Sequence, residues 1–219
     1  AKMVQDLPGF DDGMWWVQDA AAAIPVKLFG DRIEGHTVID LCAAPGGKTA
    51  QLASAGANVV AVDRSAKRLQ RLQENMKRLR LDDKVRTDVA DAAVWKTREQ
   101  VPFILLDAPC SATGTVRRNP DVIWMKTPAD VSSLVELQGR LLENAVNMLC
   151  SGGTLIYCTC SLQKEEGEYQ IERLLENHPE ISREAVHVHE LGGLSEIITP
   201  RGDVRILPSH LTQMGGMDG

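Results

Sequence analysis

The chain has no long hydrophobic run. Its apolar stretches are broken by a charged or turn residue after a handful of positions, well short of the ~20 that a membrane helix needs. It also lacks an opening basic segment leading into an apolar core, so no secretory leader is read and a cytoplasmic protein is expected. Cysteine is sparse and odd in number: five in 219 residues, which argues against a disulfide framework and for reduced thiols. Paired C-x-x-C or His-Cys spacing is missing; Cys158-x-Cys160 stands alone with the histidines scattered elsewhere, so no metal site is expected. There is no internal repeat or low-complexity tract. With 43% hydrophobic and 25% charged residues, the chain reads as one globular domain over 1–219. Within it, 1–35 form an N-terminal flank, 36–178 a core sheet with helices, and 179–219 a C-terminal segment.

A basic excess is lacking as well: the net charge is -6. The charge is unevenly placed, however. From Arg64 to Arg86 nine Lys or Arg stand against three Asp or Glu, whereas Ser161 to Gly219 hold five basic and eleven acidic residues. A concentrated basic surface can hold phosphates despite an acidic total. Yet Leu69, Leu72, Met76 and Leu79 recur at helical spacing through the basic segment, so most of its charges read as the solvated face of one helix.

Strand and helix signals alternate after residue 36, as a doubly wound, mostly parallel α/β sheet requires. Strands are expected at Thr37–Leu41, Asn58–Val62, Lys84–Asp88, Phe103–Leu106 and Thr154–Tyr157. Helices are expected near Thr49–Ala55, Ser65–Arg80, Pro128–Leu149 and Lys164–Asn177. A short helix on the sheet's flank is read before residue 36. From Pro179 onward Gly192-Gly193, Pro200, Pro208 and a closing Gly-Gly-Met-Asp-Gly weaken the pattern and predict a mobile terminus. Cys110 and Cys160 each follow an apolar strand. Ligands of open α/β sheets bind outside the carboxyl ends of the strands, so both thiols are expected in one cleft.

The first strand runs into Cys42-Ala43-Ala44-Pro45-Gly46-Gly47-Lys48-Thr49. These small residues let a ligand approach the backbone, and the following helix offers free N–H groups. Gly47-Lys48-Thr49 matches the end of a phosphate-binding loop, so a P-loop nucleotidase is an alternative, but Cys42 stands where that motif needs glycine. The next strand ends in Asp63, about twenty residues on, where an acidic side chain accepts from both ribose hydroxyls of an adenosine cofactor. A helix cap is the rival role for an Asp there, and Ser65 could fill it. Asp91 could meet the adenine amino group, with Asp88 as a rival by spacing. Several adenosine cofactors fit these features.

Four segments taken in order, Asp40 to Thr49, Asp107-Ala108-Pro109-Cys110-Ser111-Ala112-Thr113-Gly114, Arg117-Arg118-Asn119-Pro120-Asp121 and Tyr157-Cys158-Thr159-Cys160-Ser161-Leu162, closely resemble the Sun/Nop family of RNA cytosine-C5 methyltransferases. The resemblance covers roughly Gly9 to Asp218, including Val17-Gln18-Asp19, and is greatest to the bacterial Sun-type enzymes acting on small-subunit ribosomal RNA. It implies a Rossmann-like methyltransferase sheet with one reversed strand. It also implies S-adenosylmethionine held by Cys42 to Lys48, Asp63, Asp91 and Asp107. Cys160 would be the nucleophile and Cys110 the residue that helps release product, while Arg117, Arg118, Asn119 and Gln18 would meet RNA. The chain departs from the family in lacking an N-terminal RNA-binding domain and an aromatic-rich last strand, so it reads as a fragment. It also has Gly167 where many relatives carry asparagine.

The chemistry asks for such residues. Carbon 5 of cytosine is a poor nucleophile until a thiolate adds to carbon 6, which divides one hard step into easier ones. A free thiol with pKa ~8.5 is mostly protonated at neutral pH, and N–H or cationic neighbours would favour the thiolate. The ring also needs a partner at N3. Asp107, beside Cys110, is the candidate, and burial is expected to favour the protonated form that this role uses. Cys42, Cys150 and Cys158 read as small buried hydrophobes. Paired guanidinium groups at Arg117 and Arg118 could hold phosphates around a flipped base. The same chemistry on transfer RNA, and a non-catalytic RNA-binding module, are the further alternatives.

Overall fold

Phe103 and Leu105 point to one face of a buried strand and Ile104 and Leu106 to the other; helices cover both faces, which is why the run from Val101 to Leu106 is apolar. The computed structural model describes residues 3–219, so the first two residues of the expected flank lie outside the described residues. Five strands, β1 (Thr37–Leu41), β2 (Asn58–Asp63), β3 (Val85–Val89), β4 (Val101–Asp107) and β5 (Leu149–Cys158), form one sheet in the order β3-β2-β1-β4-β5. Each neighbouring pair is parallel. The helices are α1 (Ala20–Lys27), α2 (Gly47–Ser54), α3 (Ala66–Arg78), the single turn α4 (Val122–Met125), α5 (Pro128–Met148) and α6 (Glu168–Asn177).

Helices α1, α2 and α3 cover one face, where Val38, Val59, Ala61 and Leu105 meet Leu52, Leu69 and Leu72. Helices α5 and α6 cover the other, where Ile39, Leu41, Val62 and Ile104 meet Leu141, Leu142, Ala145 and Leu174. The apolar stripe read in the basic segment, Leu69, Leu72, Met76 and Leu79, is buried, so α3 does present its charges outward. Thr127 and Asp130 form a reciprocal capping box that starts α5.

Two expectations fail. The sheet holds no reversed strand among the described residues: 179–219 fold as short 3-10 turns, with one antiparallel bridge between Ile198 and Val204. Positive-φ glycines at 192, 193, 202, 215 and 216 interrupt any extended run there. Nor is the glycine-rich end loose. Met217 is buried with Leu191, Ile197, Ala21 and Ile24, and Gly219 N donates to Gly114 O at 2.8 Å. A buried Met and the neighbouring Asp218 outweigh the freedom of the glycines around them.

Candidate active site

Strands β1 and β4 are neighbours whose connections leave in opposite directions, and a crevice opens beyond their carboxyl ends. The turn after β1 needs unusual backbone: Cys42 has φ 63° and Gly46 φ 103°. A Cβ on Gly46 would also lie 2.6 Å from Leu72 Cγ, so glycine is required twice over. Asp40 is fully buried beneath the turn and accepts from Thr49 Oγ1 at 2.6 Å, while its Oδ1 has no partner. Burial pushes its pKa up to about 7.

At the end of β2 the Asp63 carboxylate ties the turn to α3. It accepts from Ala44 N at 3.1 Å and Ser65 N at 2.9 Å, and Arg68 lies 3.7 Å away and donates to Ala44 O. Ser65 caps α3 by accepting from Arg68 N, which leaves Asp63 for the turn. Asp91 turns one oxygen onto Ala93 N at 2.9 Å and is otherwise exposed, whereas Asp88 is taken by Arg86 at 3.1 Å. The turn Cys42 to Gly47, Asp63 and Asp91 thus gather at the ends of β1 to β3. Carboxylate acceptors beside a small-residue turn suit an adenosine: hydroxyls for Asp63, an amino group for Asp91. Open space around Gly47, where an added Cβ would come no nearer than 4.0 Å to Gln18, leaves the turn approachable.

The thiol cleft lies at the ends of β4 and β5. Cys110 Sγ and Cys160 Sγ are 3.4 Å apart. The hydrogen bond from Cys110 lowers the Cys160 pKa against the opposing effect of burial, and the same bond holds the Cys110 thiol well above its ordinary value. Of the two thiols, Cys160 is thus the one shifted toward the thiolate, with Cys110 held toward the protonated form. Gly114 N donates to Cys160 O at 2.9 Å and Ala108 N to Cys158 O at 3.0 Å, so the two loops run side by side.

Asp107 does not have the burial expected of it: its side chain is 36% exposed and Lys48 Nζ holds Oδ2 at 2.8 Å. Lys48 belongs to the cofactor turn by sequence, yet its ammonium lies on the carboxylate beside Cys110. Burial alone would lower its pKa; Cys158 and Asp107 nearby outweigh that and raise it. Cys158, read as an inert hydrophobe, points its thiol at Asp107 Oδ1 at 3.5 Å. Neither contact has a sequence signal, since each joins residues more than fifty positions apart. Cys42 and Cys150 are half-buried, and burial followed by the nearby carboxylates pushes Cys42 up to about 12.

The residues expected at RNA are engaged within the chain. Arg117 pairs with Asp19 at 2.8 Å and Asp218 at 3.4 Å, and Arg118 pairs with Asp218 at 2.6 Å. Asn119 donates to Thr115 Oγ1. The Gln18 amide donates to Ala22 O and Gln51 Oε1 and accepts from Trp16 Nε1, which braces the start of α1 against α2. Among the described residues, no group of three or more His, Cys, Asp or Glu could hold a metal ion, and no helix is long and apolar enough to cross a membrane.

The family model described as 16S rRNA methyltransferase RsmB/F matches residues 30–217. Ribosomal RNA small subunit methyltransferase B of Yersinia pseudotuberculosis serotype O:1b (strain IP 31758) is 46% identical over 180 residues, covering 81% of this chain and 42% of that protein. The chain thus spans under half the length of the curated relatives it matches. Among solved structures, NSun6 from Pyrococcus horikoshii with SFG superposes at a TM-score of 0.73 with 28% identity, over 81% of this chain and 46% of that one. A methyltransferase homologue from Pyrococcus horikoshii gives 0.69 with 32% identity, over 80% and 56%.

Proposed function

Because this chain belongs to the 16S rRNA methyltransferase RsmB/F family, we propose that its cleft methylates carbon 5 of a cytosine in RNA, with small-subunit ribosomal RNA as the substrate and the cytoplasm as the place of action. The single observation that carries the chemistry is the thiol pair, 3.4 Å apart, beside the Lys48–Asp107 ion pair. One relative is named for ribosomal RNA small-subunit methylation, and one neighbour was solved with SFG, an S-adenosylmethionine analogue. The Cys42–Gly47 turn would hold S-adenosylmethionine, with Asp63 and Asp91 as acceptors, and the cofactor would supply the methyl group.

The chain's own residues do the rest. Cys160, the thiol shifted toward the thiolate, adds to carbon 6 of the cytosine and breaks the ring's conjugation, so carbon 5 becomes nucleophilic. Asp107 faces the base at N3 and the exocyclic amine, with Lys48 supplying positive charge as the ring accumulates electrons. Once Cys160 is bonded to carbon it no longer carries charge. The hydrogen bond to Cys160 that held the proton on Cys110, and the repulsion that added to it, are then gone, so Cys110 can release its proton to water and take the one on carbon 5, directly or through water. The electron pair of that C–H bond restores the ring double bond and expels Cys160 as thiolate.

The test uses tritiated S-adenosylmethionine and protein-free small-subunit ribosomal RNA. Label at carbon 5 of cytosine that vanishes in Cys160→Ala, with an SDS-stable protein–RNA band in Cys110→Ser, is the expected result. Activity retained by Cys160→Ala would overturn the assignment.

A further inference from the structure

Glu166 is fully buried in the 3-10 turn between β5 and α6, and its carboxylate grips both cysteine loops. Oε1 accepts from Ser111 N at 2.9 Å and from Gln138 Nε2 at 3.0 Å. Oε2 accepts from Ser111 Oγ and Ser161 Oγ, each at 2.5 Å. Ser111 directly follows Cys110, and Ser161 directly follows Cys160. The turn itself is fixed from behind: Tyr157 Oη donates to Glu166 O at 2.6 Å, and Gln170 Nε2 donates to Gln138 Oε1 at 3.2 Å, which braces α5 against α6.

Four donors meet one carboxylate, and among the described residues no Lys or Arg pairs with it. A carboxyl group so buried is held by its hydrogen bonds alone, and those bonds are directional. Their direction is informative. Two of the four fix the Ser111 backbone and side chain, and one fixes Ser161, so the carboxylate spans the gap between two loops that leave neighbouring strands fifty residues apart. We propose that Glu166 is a positioning residue that sets the separation of the Cys110 and Cys160 thiols, and with it the balance between forming the cytosine adduct and releasing it.

The part concerning the adduct rests on the proposed methylation; the part concerning the thiol separation does not. The experiment therefore reads the thiols first, without RNA. Diamide, a diazenedicarboxamide, oxidises a close thiol pair: each sulfur gives up its hydrogen, an S–S bond forms, and the N=N bond is reduced to a hydrazine. The rate of Cys110–Cys160 disulfide formation is followed by peptide mass spectrometry between pH 7 and 9 in the wild-type chain and in Glu166→Ala, Glu166→Gln and Ser161→Ala. Glu166→Gln keeps an acceptor toward the two N–H donors. Glu166→Ala is expected to slow cross-linking by about tenfold or more, the size of effect that a displacement near 1 Å produces, with partial recovery in Glu166→Gln and a smaller loss in Ser161→Ala. With RNA, kcat should fall while KM for S-adenosylmethionine stays within about twofold, because the cofactor turn is untouched. Wild-type cross-linking rates in both Glu166→Ala and Ser161→Ala would overturn the proposal. If Glu166→Ala does not fold, an unchanged rate in Ser161→Ala and Glu166→Gln overturns it equally. A wild-type chain that cross-links as expected but does not methylate would count against the proposed function and leave the thiol spacing standing.

Discussion

Cys110 Sγ and Cys160 Sγ sit 3.4 Å apart just beyond the ends of two hydrogen-bonded parallel strands, within hydrogen-bond reach of each other. A hydrogen bond from Cys110 stabilises the Cys160 thiolate, so its pKa lies below the ordinary 9.0. Iodoacetamide should therefore alkylate Cys160 with a midpoint below that of a free thiol and leave Cys110 unmodified at the same pH. Replacing Cys110 by Ala removes the donor and must move the Cys160 midpoint upward. Peptide mass spectrometry across pH 5 to 10 checks both, and a downward movement would contradict the hydrogen-bond assignment.

The ammonium of Lys48 should be worth as much to the reaction as it is to Asp107. Lys48→Met leaves the carboxylate without its partner and removes positive charge from the place where the ring gathers electrons. A loss of about 10²-fold in kcat is expected, with binding of S-adenosylmethionine little changed. Lys48→Arg should not restore it, because a planar guanidinium does not fit where a compact ammonium sits with a largely buried stem. Calorimetric cofactor titration alongside single-turnover kinetics separates the two effects.

Asp40 makes the fold pH-sensitive. Its folded-state pKa, about 7, lies above the unfolded value of 3.8, so between those limits the native chain binds the extra proton and stability falls as pH rises. The slope contributed by this one group approaches roughly 1.4 kcal/mol per pH unit at most. Asp40→Asn should flatten the curve of urea stability against pH over that window and should gain on the wild type at pH 7.5. Parallel curves for the two proteins would refute the burial argument.

Gly114 has no room for a side chain: a Cβ would lie 2.2 Å from Gly219 O and 2.9 Å from Cys160 O. Gly114→Ala is expected to cost about 1–3 kcal/mol in urea denaturation, the range of overpacked cores, and to disturb the Cys160 loop. Activity should therefore fall further than the loss of folded protein accounts for.

Arg117 and Arg118 already have carboxylates, which alters what their removal can report. Asp218→Asn halves the negative charge facing them and should raise RNA affinity at low salt while steepening the salt dependence, if the guanidiniums meet phosphates. Removing both arginines should flatten that dependence by about two phosphate contacts. Filter binding at several salt concentrations reads both variants; an Asp218→Asn slope equal to wild type would mean that these arginines hold the chain's end and nothing else.

Four strands of the sheet, all but the polar β3, were legible because each contains a short apolar run beside turn residues, and the helices because their apolar positions recur with the right period; Thr37–Leu41 and the start of the Pro128 helix agree to the residue. The thiol pair was legible as two cysteines after two strands. What the sequence hid are contacts between segments distant in the chain. Lys48 reaching Asp107, Cys158 turning to the same carboxylate, and Glu166 bridging Ser111 and Ser161 have no periodicity and no local spacing. The C-terminal Gly-Gly-Met-Asp-Gly misled for a related reason: local composition reports backbone freedom, while a buried Met217 and the carboxylate of Asp218 report where that backbone is tied.

The strand order has a consequence for the growing chain. The small-residue turn and its carboxylates come from β1 to β3, whereas Cys160 lies two residues beyond β5, the strand at the other edge of the sheet. Pairing of β5 with β4 closes a segment of some forty residues, and such non-local contacts form only once the intervening helix has been made. A chain made only through β3 can thus shape the turn and its carboxylates before Cys160 exists, and the thiol pair on which the proposed reaction rests forms only when β5 docks on β4.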